Sequence, residues 1–181
     1  MTSNSVLPIT TRRATVADAA MLADLATRAF HDTYAAENTP GNMALYIAMS
    51  FGESLQRAEL EDRRVVVLLA ERGDDVVGYA MLRDGPAPEA VGAADGIEIA
   101  RLYAVKPLIG AGIGATLMQR CLDEAEARGK SIIWLGVWEH NARALAFYHR
   151  WEFADVGTLE FTLGRDRQTD RLMMRRVDRE K

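Results

Sequence analysis

The chain has 181 residues, of which 49% are apolar, and this length and composition predict one globular domain spanning residues 1–181. A net charge of −4 gives no basic field for nucleic acid or an anionic membrane, so we expect neither as a partner. The single cysteine, Cys121, excludes an internal disulfide and a zinc site built from thiolates. No apolar run reaches the length of a membrane span and the first residues lack an export signal, which predicts a cytoplasmic protein.

The first half of the chain is predicted to form one strand, three helices and a hairpin. The segment PITTRRA is typical of a short strand. Thr15 and Asp18 resemble the capping box that opens a helix, which then runs to Tyr34. Thr39 and Pro40 are typical of the cap and first position of a second helix, and a third follows around ESLQRAELEDR. The runs RVVVLLAE and VVGYAMLR, joined by the turn RGDD, predict a β-hairpin.

The second half alternates strands with helices. IEIARLYAV and SIIWLGV are predicted strands, and the helix between them ends at Gly129. The segment NARALAFYHRW predicts another helix, capped by Asn141. FADVGTLEFTL and RLMMRRV close the chain as an antiparallel pair of strands. This order predicts an α/β (or α+β) domain with a mixed sheet.

Three glycines at alternate positions, Gly110, Gly112 and Gly114, separate the strand IEIARLYAV from the following helix. With Ala115 they satisfy the dinucleotide fingerprint G-x-G-x-x-G/A, and Glu139 ends the next strand where a ribose-binding acid is expected. In that fold the strand runs directly into the first glycine, whereas here the residues KPLI intervene. Too little chain follows Glu139 for a second mononucleotide-binding half, so this interpretation is weak. A Walker loop is excluded because no Lys-Ser/Thr pair follows the glycines.

The same glycines are also typical of a phosphate site. Amides at a helix N-terminus point their N–H groups and the positive end of the helix dipole at one spot, where a pyrophosphate fits. The amides concerned are those of Gly110, Ala111, Gly112, Ile113, Gly114 and Ala115. The competing interpretation is a tight strand-to-helix turn with a glycine packed on the sheet.

Two segments together carry a family resemblance. VKPLIGAGIGATLM resembles the acetyl-coenzyme A loop of the GNAT N-acetyltransferases, Q/R-x-x-G-x-G/A, and NARALAFYHRWEF resembles their second signature, Asn-x-x-Ala-x-x-Phe-Tyr. With the strand IEIARLYAV the resemblance covers residues 97–153. It implies a mixed, mostly antiparallel central sheet with helices on both faces, and acetyl-CoA as cosubstrate. AFHDTYAAENTPGNM and FTLGRDRQTDRLMMRR further resemble the bacterial PaiA-like polyamine (spermidine/spermine) acetyltransferases.

Two positions depart from the family's pattern. Ile109 stands where the family has Gln or Arg. That loss is tolerable if backbone amides hold the pyrophosphate, although it predicts a lower affinity for the coenzyme. Glu152 stands where a helix-ending glycine is usual. If the backbone there is left-handed, a residue other than glycine costs roughly 1 kcal/mol.

The resemblance assigns roles to particular residues. Tyr148 is expected beside the coenzyme sulfur, where a phenol of pKa about 10 can donate a proton to the departing thiolate. The backbone of Tyr103, Ala104 and Val105 is expected to lie along the pantetheine arm like an added strand, with the Val105 amide as oxyanion donor. Asn141 can cap its helix and also contact the pantetheine arm. Without the resemblance, an aromatic side chain packed in the core is the simpler interpretation of Tyr148.

Acidic residues supply the candidates for the general base and the acceptor wall. Glu98 lies on the strand leading to the glycines, where the superfamily often keeps a carboxylate acting through water; the alternative is a solvated charge at a strand end. Glu139 is the second candidate. Tyr34, Glu37 and Asp32 lie in the helix junction that resembles the family's acceptor wall, where they would bind or desolvate a polyamine.

The other reactive side chains predict neither covalent nor metal chemistry. Cys121 lies on an apolar helical stripe between Leu117 and Leu122, which favours a core position over an acyl-cysteine intermediate. The three histidines show no metal-ligand spacing, so no metal is predicted. The basic run RLMMRRVDREK is interpreted as a closing strand with a solvated tail, not as a nucleic-acid patch.

We therefore expect an acetyl-CoA-dependent N-acetyltransferase that acts on a primary amine, above all a polyamine such as spermidine, by direct attack in a ternary complex. The alternative within this class is a protein or peptide Nα-acetyltransferase, which needs an open groove instead of an enclosed acidic pocket. From another class, a non-catalytic acetyl-CoA sensor is the alternative, although Tyr148 and the candidate bases argue against it. A homodimer is common in this superfamily, but the sequence does not reveal the oligomeric state.

Overall fold

A computed structural model of the protein describes residues 7–92 and 95–177. In this part of the chain the elements follow the predicted order. They are β1 (Ile9–Arg13), α1 (Ala19–Tyr34), α2 (Pro40–Ser50), α3 (Glu53–Glu61), β2 (Val65–Arg72), β3 (Asp75–Asp84), β4 (Ile97–Ala104), α4 (Ile113–Ala127), β5 (Ile132–Trp138), α5 (Ala142–Arg150), β6 (Ala154–Leu163) and β7 (Asp166–Arg176). Short 3₁₀ turns form at Val16–Asp18, Glu89–Val91 and Lys106–Leu108.

The predicted caps form at the helix starts. The Thr15 amide donates to the Asp18 carboxylate at 2.7 Å, although the first turn there is 3₁₀ and α1 follows it. Thr39 caps α2 with its hydroxyl, and the side chain of Asn141 accepts a hydrogen bond from the Ala144 amide at 3.1 Å. Such bonds satisfy amides for which the helix has no internal partner.

The strands form one sheet in the order β1-β2-β3-β4-β5-β7-β6. Neighbouring strands are antiparallel except β4 and β5, which are parallel. The predicted mixed, mostly antiparallel sheet is therefore confirmed. The last strand is longer than predicted, because its polar first residues from Asp166 onwards pair with β6 in a hairpin. The predicted solvated tail at residues 178–181 lies outside the described residues.

Helices cover both faces of the sheet, as predicted. On one face, α4 and α5 pack over a core that includes Leu117 and Cys121. On the other face, α1, α2 and α3 surround a core that includes Leu22 and Phe30. Cys121 is fully buried, and burial raises the pKa of its thiol, which keeps it protonated. The interpretation of Cys121 as a core residue is confirmed.

The sheet opens between its two parallel strands. β4 and β5 pair only where Ile97 faces Ile133 and Glu98 faces Trp134. Beyond that point β4 carries one extra residue, Ala100, relative to β3, and a bulge of this kind bends a strand and increases its twist. The two strands therefore separate towards their carboxyl ends, and the gap between them contains the candidate site.

Candidate active site

A cavity of about 440 Å³, called the main cavity below, occupies the gap between β4 and β5. It is lined by residues 99–104 of β4, by the turn before α4 and by one side of α5. The predicted site residues among its lining are Tyr34, Tyr103, Ala104, Gly110, Gly112, Gly114, Ala115, Asn141 and Tyr148. The fold thus brings together predicted residues from segments that are far apart in the sequence.

Residues 110–115, called the glycine turn below, line this cavity through Gly110, Gly112, Gly114 and Ala115. Gly110 and Gly112 have φ values of 91° and 90°, a left-handed conformation that side chains disfavour. Among the predicted amides, that of Ala111 is already used, since it donates to the Leu108 carbonyl at 3.1 Å. Those that donate to no group in residues 7–92 and 95–177 are the amides of Gly110, Gly112, Ile113, Gly114 and Ala115.

An anionic group fits the glycine turn. The unpaired amides lie at the N-terminus of α4, a helix of 15 residues, where the helix dipole places a partial positive charge. The first amides of any helix lack a partner within the helix, and here no N-cap side chain occupies them, so they are available to an anionic ligand. The dinucleotide interpretation is wrong for this chain, because that fold needs a mostly parallel sheet and this sheet is mostly antiparallel.

One predicted role of the β4 backbone is contradicted. The Val105 amide donates to the Val77 carbonyl at 2.9 Å, so it is not available as an oxyanion donor. Successive residues of an antiparallel strand direct their peptide groups to opposite edges. Since the peptide group of Val105 points to β3, those of Leu102 and Ala104 point to the gap. Both residues line the main cavity.

Tyr148 lies on α5 in the wall of the main cavity. It is 8% exposed, and its ring centroid lies 5.4 Å from that of Phe147 and 5.8 Å from that of Phe153, both edge-on. Burial raises the pKa of the Tyr148 phenol above its ordinary value, so it stays protonated at neutral pH. The residue is therefore both packed in the core and placed at the cavity.

The end of α5 holds Tyr148 through its carbonyl group. The Phe153 amide donates to the Tyr148 carbonyl at 3.1 Å, and the Glu152 amide donates to the His149 carbonyl at 3.0 Å. These two bonds define a Schellman helix end, which needs a left-handed residue. Glu152 occupies that position with φ of 63°. The suspected strain is therefore present, at roughly 1 kcal/mol.

Polar side chains from three elements meet next to Tyr148. Tyr34 of α1, Tyr103 of β4 and Asn141 at the start of α5 line the same cavity wall. Burial raises the pKa of Tyr34, and the polar side chains of Tyr103 and Asn141 oppose the rise. The predicted acceptor residue Tyr34 therefore reaches the same cavity as the predicted coenzyme residue Asn141.

Glu98, the predicted general base, lies where β4 and β5 part. Glu98 directly precedes Ile99, the first β4 residue that lines the main cavity. The Glu98 carboxylate lies 3.8 Å from an Arg83 nitrogen. Burial raises the pKa of Glu98, while the charges of Arg83 and Arg101 oppose the rise. A carboxylate with a raised pKa is a stronger base than an exposed one.

The other predicted acidic residues lie outside the main cavity. Glu37 and Asp32 line a neighbouring cleft of about 270 Å³, which shares Thr33 and Asn141 with the main cavity. Glu139 is exposed at the end of β5, with 39% of its side-chain surface accessible. It lines neither the main cavity nor this cleft. Of the predicted acceptor residues, Tyr34 alone reaches the main cavity.

Two kinds of site residue escape the sequence analysis. Arg143 and Arg150 line the main cavity from α5, on the same side as Phe147, because the three fall at positions i, i+7 and i+4 of a helix. Because this spacing places two arginines beside a predicted anion site, the sequence could have indicated both as binding residues. Asp170 of β7 lines an adjoining cavity, and its Oδ1 atom is buried without a hydrogen-bond partner in the described part of the chain. No local sequence pattern distinguishes Asp170 from other strand carboxylates.

Searches for other kinds of site gave no candidate in the described ranges. No helix of residues 7–92 and 95–177 is long and apolar enough to cross a membrane. The same residues contain no group of three or more His, Cys, Asp and Glu side chains placed to hold a metal ion. Cys121 is a free, buried thiol.

Comparison with known proteins identifies relatives across most of the chain. The model of the acetyltransferase (GNAT) family matches residues 22–153. An uncharacterised N-acetyltransferase of Lactobacillus delbrueckii subsp. lactis is 31% identical over 144 residues, which are 80% of this chain and 83% of that protein.

Solved structures share the fold. The PaiA N-acetyltransferase of Thermoplasma acidophilum in complex with coenzyme A has a TM-score of 0.77 at 18% identity, covering 94% of this chain and 99% of that one. A ribosomal-protein-alanine N-acetyltransferase of Brucella melitensis has a TM-score of 0.69 at 28% identity, covering 93% of this chain and 99% of that one.

These findings define the class of protein. The chain belongs to the GNAT acetyltransferase family, and its sheet with helices on both faces is the fold of that family. Acetyl-CoA is the family's cosubstrate. The protein is accordingly an acyltransferase, and more narrowly an acetyl-CoA-dependent N-acetyltransferase.

Proposed function

We propose that this enzyme acetylates a primary amine of a small cationic acceptor, a polyamine such as spermidine. The observation that carries the proposal is one cavity lined both by the unpaired amides of the glycine turn and by Tyr148. Acetyl transfer from coenzyme A requires a diphosphate site and a proton donor at the thioester, held in one frame. The net charge of −4 supports a cationic acceptor.

The main cavity offers groups for each part of the cosubstrate. The amides of the glycine turn would hold the pyrophosphate, with Arg143 and Arg150 adding positive charge. The peptide groups of Leu102 and Ala104 would pair with the pantetheine arm as an added strand does. Asn141 would combine its helix cap with a contact to the same arm. When bound, acetyl-CoA supplies the acetyl group as a reactive thioester.

Three groups of the chain would manage protons and charge. Tyr148, protonated at neutral pH, would give its proton to the departing sulfur. The amide of Leu102 or Ala104, in place of Val105, would donate to the negative charge that develops on the acetyl oxygen. Glu98 would take the amine proton through a water molecule, and Glu139 remains the second candidate for that base.

A protein Nα-acetyltransferase is the second candidate function. The Brucella relative, at 28% identity, is a ribosomal-protein-alanine N-acetyltransferase. The cleft beside the main cavity, lined by Glu37 and Asp32, is where a peptide acceptor would lie. This alternative predicts turnover of a free peptide N-terminus in preference to an alkylamine.

A panel of acceptors tests the proposal. The enzyme and acetyl-CoA are mixed separately with spermidine, 1,4-diaminobutane, n-butylamine and a peptide with N-terminal alanine, and the release of free thiol is measured. We expect the two polyamines to give the highest kcat/KM. Faster turnover of the peptide would replace the proposal with Nα-acetylation. Coenzyme binding without turnover of any acceptor would indicate a sensor.

A further inference from the structure

A second cavity of about 90 Å³ adjoins the main cavity on the face of the sheet covered by α1, α2 and α3. It lies between α1, α2 and the hairpin of β6 and β7. Tyr34, Tyr103 and Gly136 line both cavities. Ala100 and Arg101 line both as well, so the two cavities meet at the gap between β4 and β5. We call this second space the aromatic cavity.

The wall of the aromatic cavity is rich in aromatic rings. They are Phe30, Tyr34, Tyr46, Phe51, Tyr103, Trp138 and Phe161. Phe30 stacks on Tyr46 with ring centroids 4.6 Å apart, and Phe161 meets Tyr46 edge-on at 5.3 Å. Aromatic faces attract cations, most strongly where water is excluded. The wall thus favours a ligand with alkyl segments and a positive charge.

One carboxylate faces this cavity without a partner. The Oδ1 atom of the Asp170 side chain is buried and has no hydrogen-bond partner within the described residues. Its Oδ2 atom lies over Gly136, where an added Cβ would come within 3.2 Å. The nearby cation Arg101 is engaged by Glu59, with a nitrogen–oxygen distance of 2.8 Å. A buried carboxylate that the fold leaves unpaired is costly, which is typical of a binding group.

We propose that Asp170 and the aromatic wall bind the charged, non-reacting ammonium group of a diamine or polyamine. This inference rests on the proposed function, and it assigns the acceptor's second nitrogen to a particular place. The reacting nitrogen must be neutral, whereas a neighbouring carboxylate favours the charged form of an amine. Asp170 is therefore the partner of the far nitrogen, while the near nitrogen reaches the main cavity.

The charge of Asp170 depends on pH. Burial, with a contribution from the charge of Glu139, raises the pKa of Asp170 to about 6. The other groups that face it are Tyr34, Tyr46 and Arg101; burial raises the pKa of both tyrosines, and Arg101 is cationic throughout. Asp170 therefore titrates while the two tyrosines stay neutral and Arg101 stays cationic, and diamine affinity falls as the pH drops through about 6.

Asp170→Asn tests the inference, because it removes the charge and keeps the shape. Glu160→Gln is the matched control, since Glu160 is a carboxylate on the neighbouring strand with 58% of its side chain exposed. Binding of 1,4-diaminobutane and n-butylamine to the coenzyme A-loaded protein is measured by calorimetry, and kcat and KM by thiol release. We expect diamine affinity to fall roughly 10- to 100-fold in Asp170→Asn, with n-butylamine and the control unaffected.

Thermal unfolding gives an independent readout of the same carboxylate. Because the folded-state pKa of Asp170 is raised, its ionised form destabilises the fold at pH values above the folded-state pKa. We expect Asp170→Asn to melt at a higher temperature than wild type at pH 8, with the gain lost below about pH 4. A lower melting temperature at pH 8 would instead identify Asp170 as a structural residue and overturn the inference.

The remaining outcomes separate this inference from the proposed function. Unchanged diamine affinity in Asp170→Asn, or equal losses for diamine and monoamine, overturns the assignment of the second nitrogen. A wild-type enzyme that acetylates n-butylamine as well as the diamine also overturns it, and leaves amine acetylation standing. A wild-type protein that binds the diamine through Asp170 but acetylates no amine refutes the proposed function and leaves this site standing.

Discussion

The two sides of the gap between β4 and β5 are built from different kinds of group. We assign the coenzyme to the side formed by the glycine turn and α5, two short stretches of sequence, and call it the coenzyme side. We assign the acceptor to the other side, formed by side chains from α1, α2, β4, β5 and the hairpin of β6 and β7, and call it the acceptor side. Recognition through the main chain needs the right conformation, whereas recognition through side chains needs particular residues brought together from several elements.

This difference explains which sequence changes each side tolerates. Ile109 replaces the polar residue that is usual at its position, and it is 40% exposed and lines the main cavity beside the turn. On the acceptor side, by contrast, a single substitution such as one at Asp170 would alter the chemistry of the cavity. Acceptor choice is therefore expected to change more readily than coenzyme choice.

The strongest test of main-chain recognition is Gly112→Val. A β-branched residue is strained at φ of 90° and would disturb the row of amides, so we expect affinity for coenzyme A to fall roughly 100-fold, the value of two charge-assisted hydrogen bonds. Isothermal titration with coenzyme A measures it. Gly129→Val is the control, because Gly129 has φ of 66° at the other end of α4, with no atom within 4 Å of an added Cβ. Equal affinities in the two variants would contradict main-chain recognition.

Tyr148→Phe tests the proton donor proposed for the coenzyme side. Without its proton donor the enzyme should lose roughly 100-fold in kcat, with no change in the dissociation constant of coenzyme A. Thiol release at saturating substrate measures the loss. Tyr79→Phe removes a buried hydroxyl that has no partner in the described part of the chain, and it should leave kcat unchanged. Unaltered turnover in Tyr148→Phe would exclude this residue from the chemistry.

Glu98→Gln tests the group at the meeting point of the two sides. Because burial raises the pKa of Glu98, wild-type kcat/KM should fall as the pH drops through a value above the ordinary 4.3 or so, since the protonated carboxyl accepts no proton. We expect the variant to lose about tenfold in kcat/KM at pH 8, because a base acting through water contributes less than one in direct contact. With n-butylamine as acceptor, whose binding does not involve Asp170, the variant should also lose the fall in kcat/KM at low pH. If Glu139→Gln, and not Glu98→Gln, removed the fall in kcat/KM at low pH, the base would be Glu139.

The smallest effect is expected where α5 ends. Glu152 and Gly129 occupy the same position of two Schellman ends, with φ of 63° and 66°. Glu152→Gly should raise the free energy of unfolding by up to about 1 kcal/mol, and Gly129→Glu should lower it by a similar amount. The side chain of Glu152 is 79% exposed, so its ion pair with Arg175, at 3.5 Å, contributes little to this balance. Urea unfolding measures both, and a destabilised Glu152→Gly would show that this end carries no strain.

Features with a local cause could be predicted from the sequence. The box at Thr15 and the caps at Thr39 and Asn141 depend on residues within one helical turn. The glycine turn and the placement of Tyr148 follow from two contiguous motifs. The strain at Glu152 could be predicted because a residue other than glycine occupies a position where a left-handed backbone is expected.

Features that depend on strand pairing could not be predicted. The Val105 amide looks like its neighbours in the sequence, and only its pairing with Val77 of β3 shows that it is used. Glu139 follows a strand directly, as a ribose-binding acid would, yet it is exposed outside the main cavity. In the sequence nothing distinguishes Asp170 from the other carboxylates. Only the pairing of β7 with β5 places it beside Gly136.

The sequence by itself determined the family and the order of elements and predicted the coenzyme side, because each of these depends on short contiguous stretches of residues. The tertiary structure decided which amides are free and which carboxylates line the cavities, and the proposed place for a second charge on the acceptor rests on it. These depend on the register between strands that are far apart in the chain, and a register carries no local sequence signal.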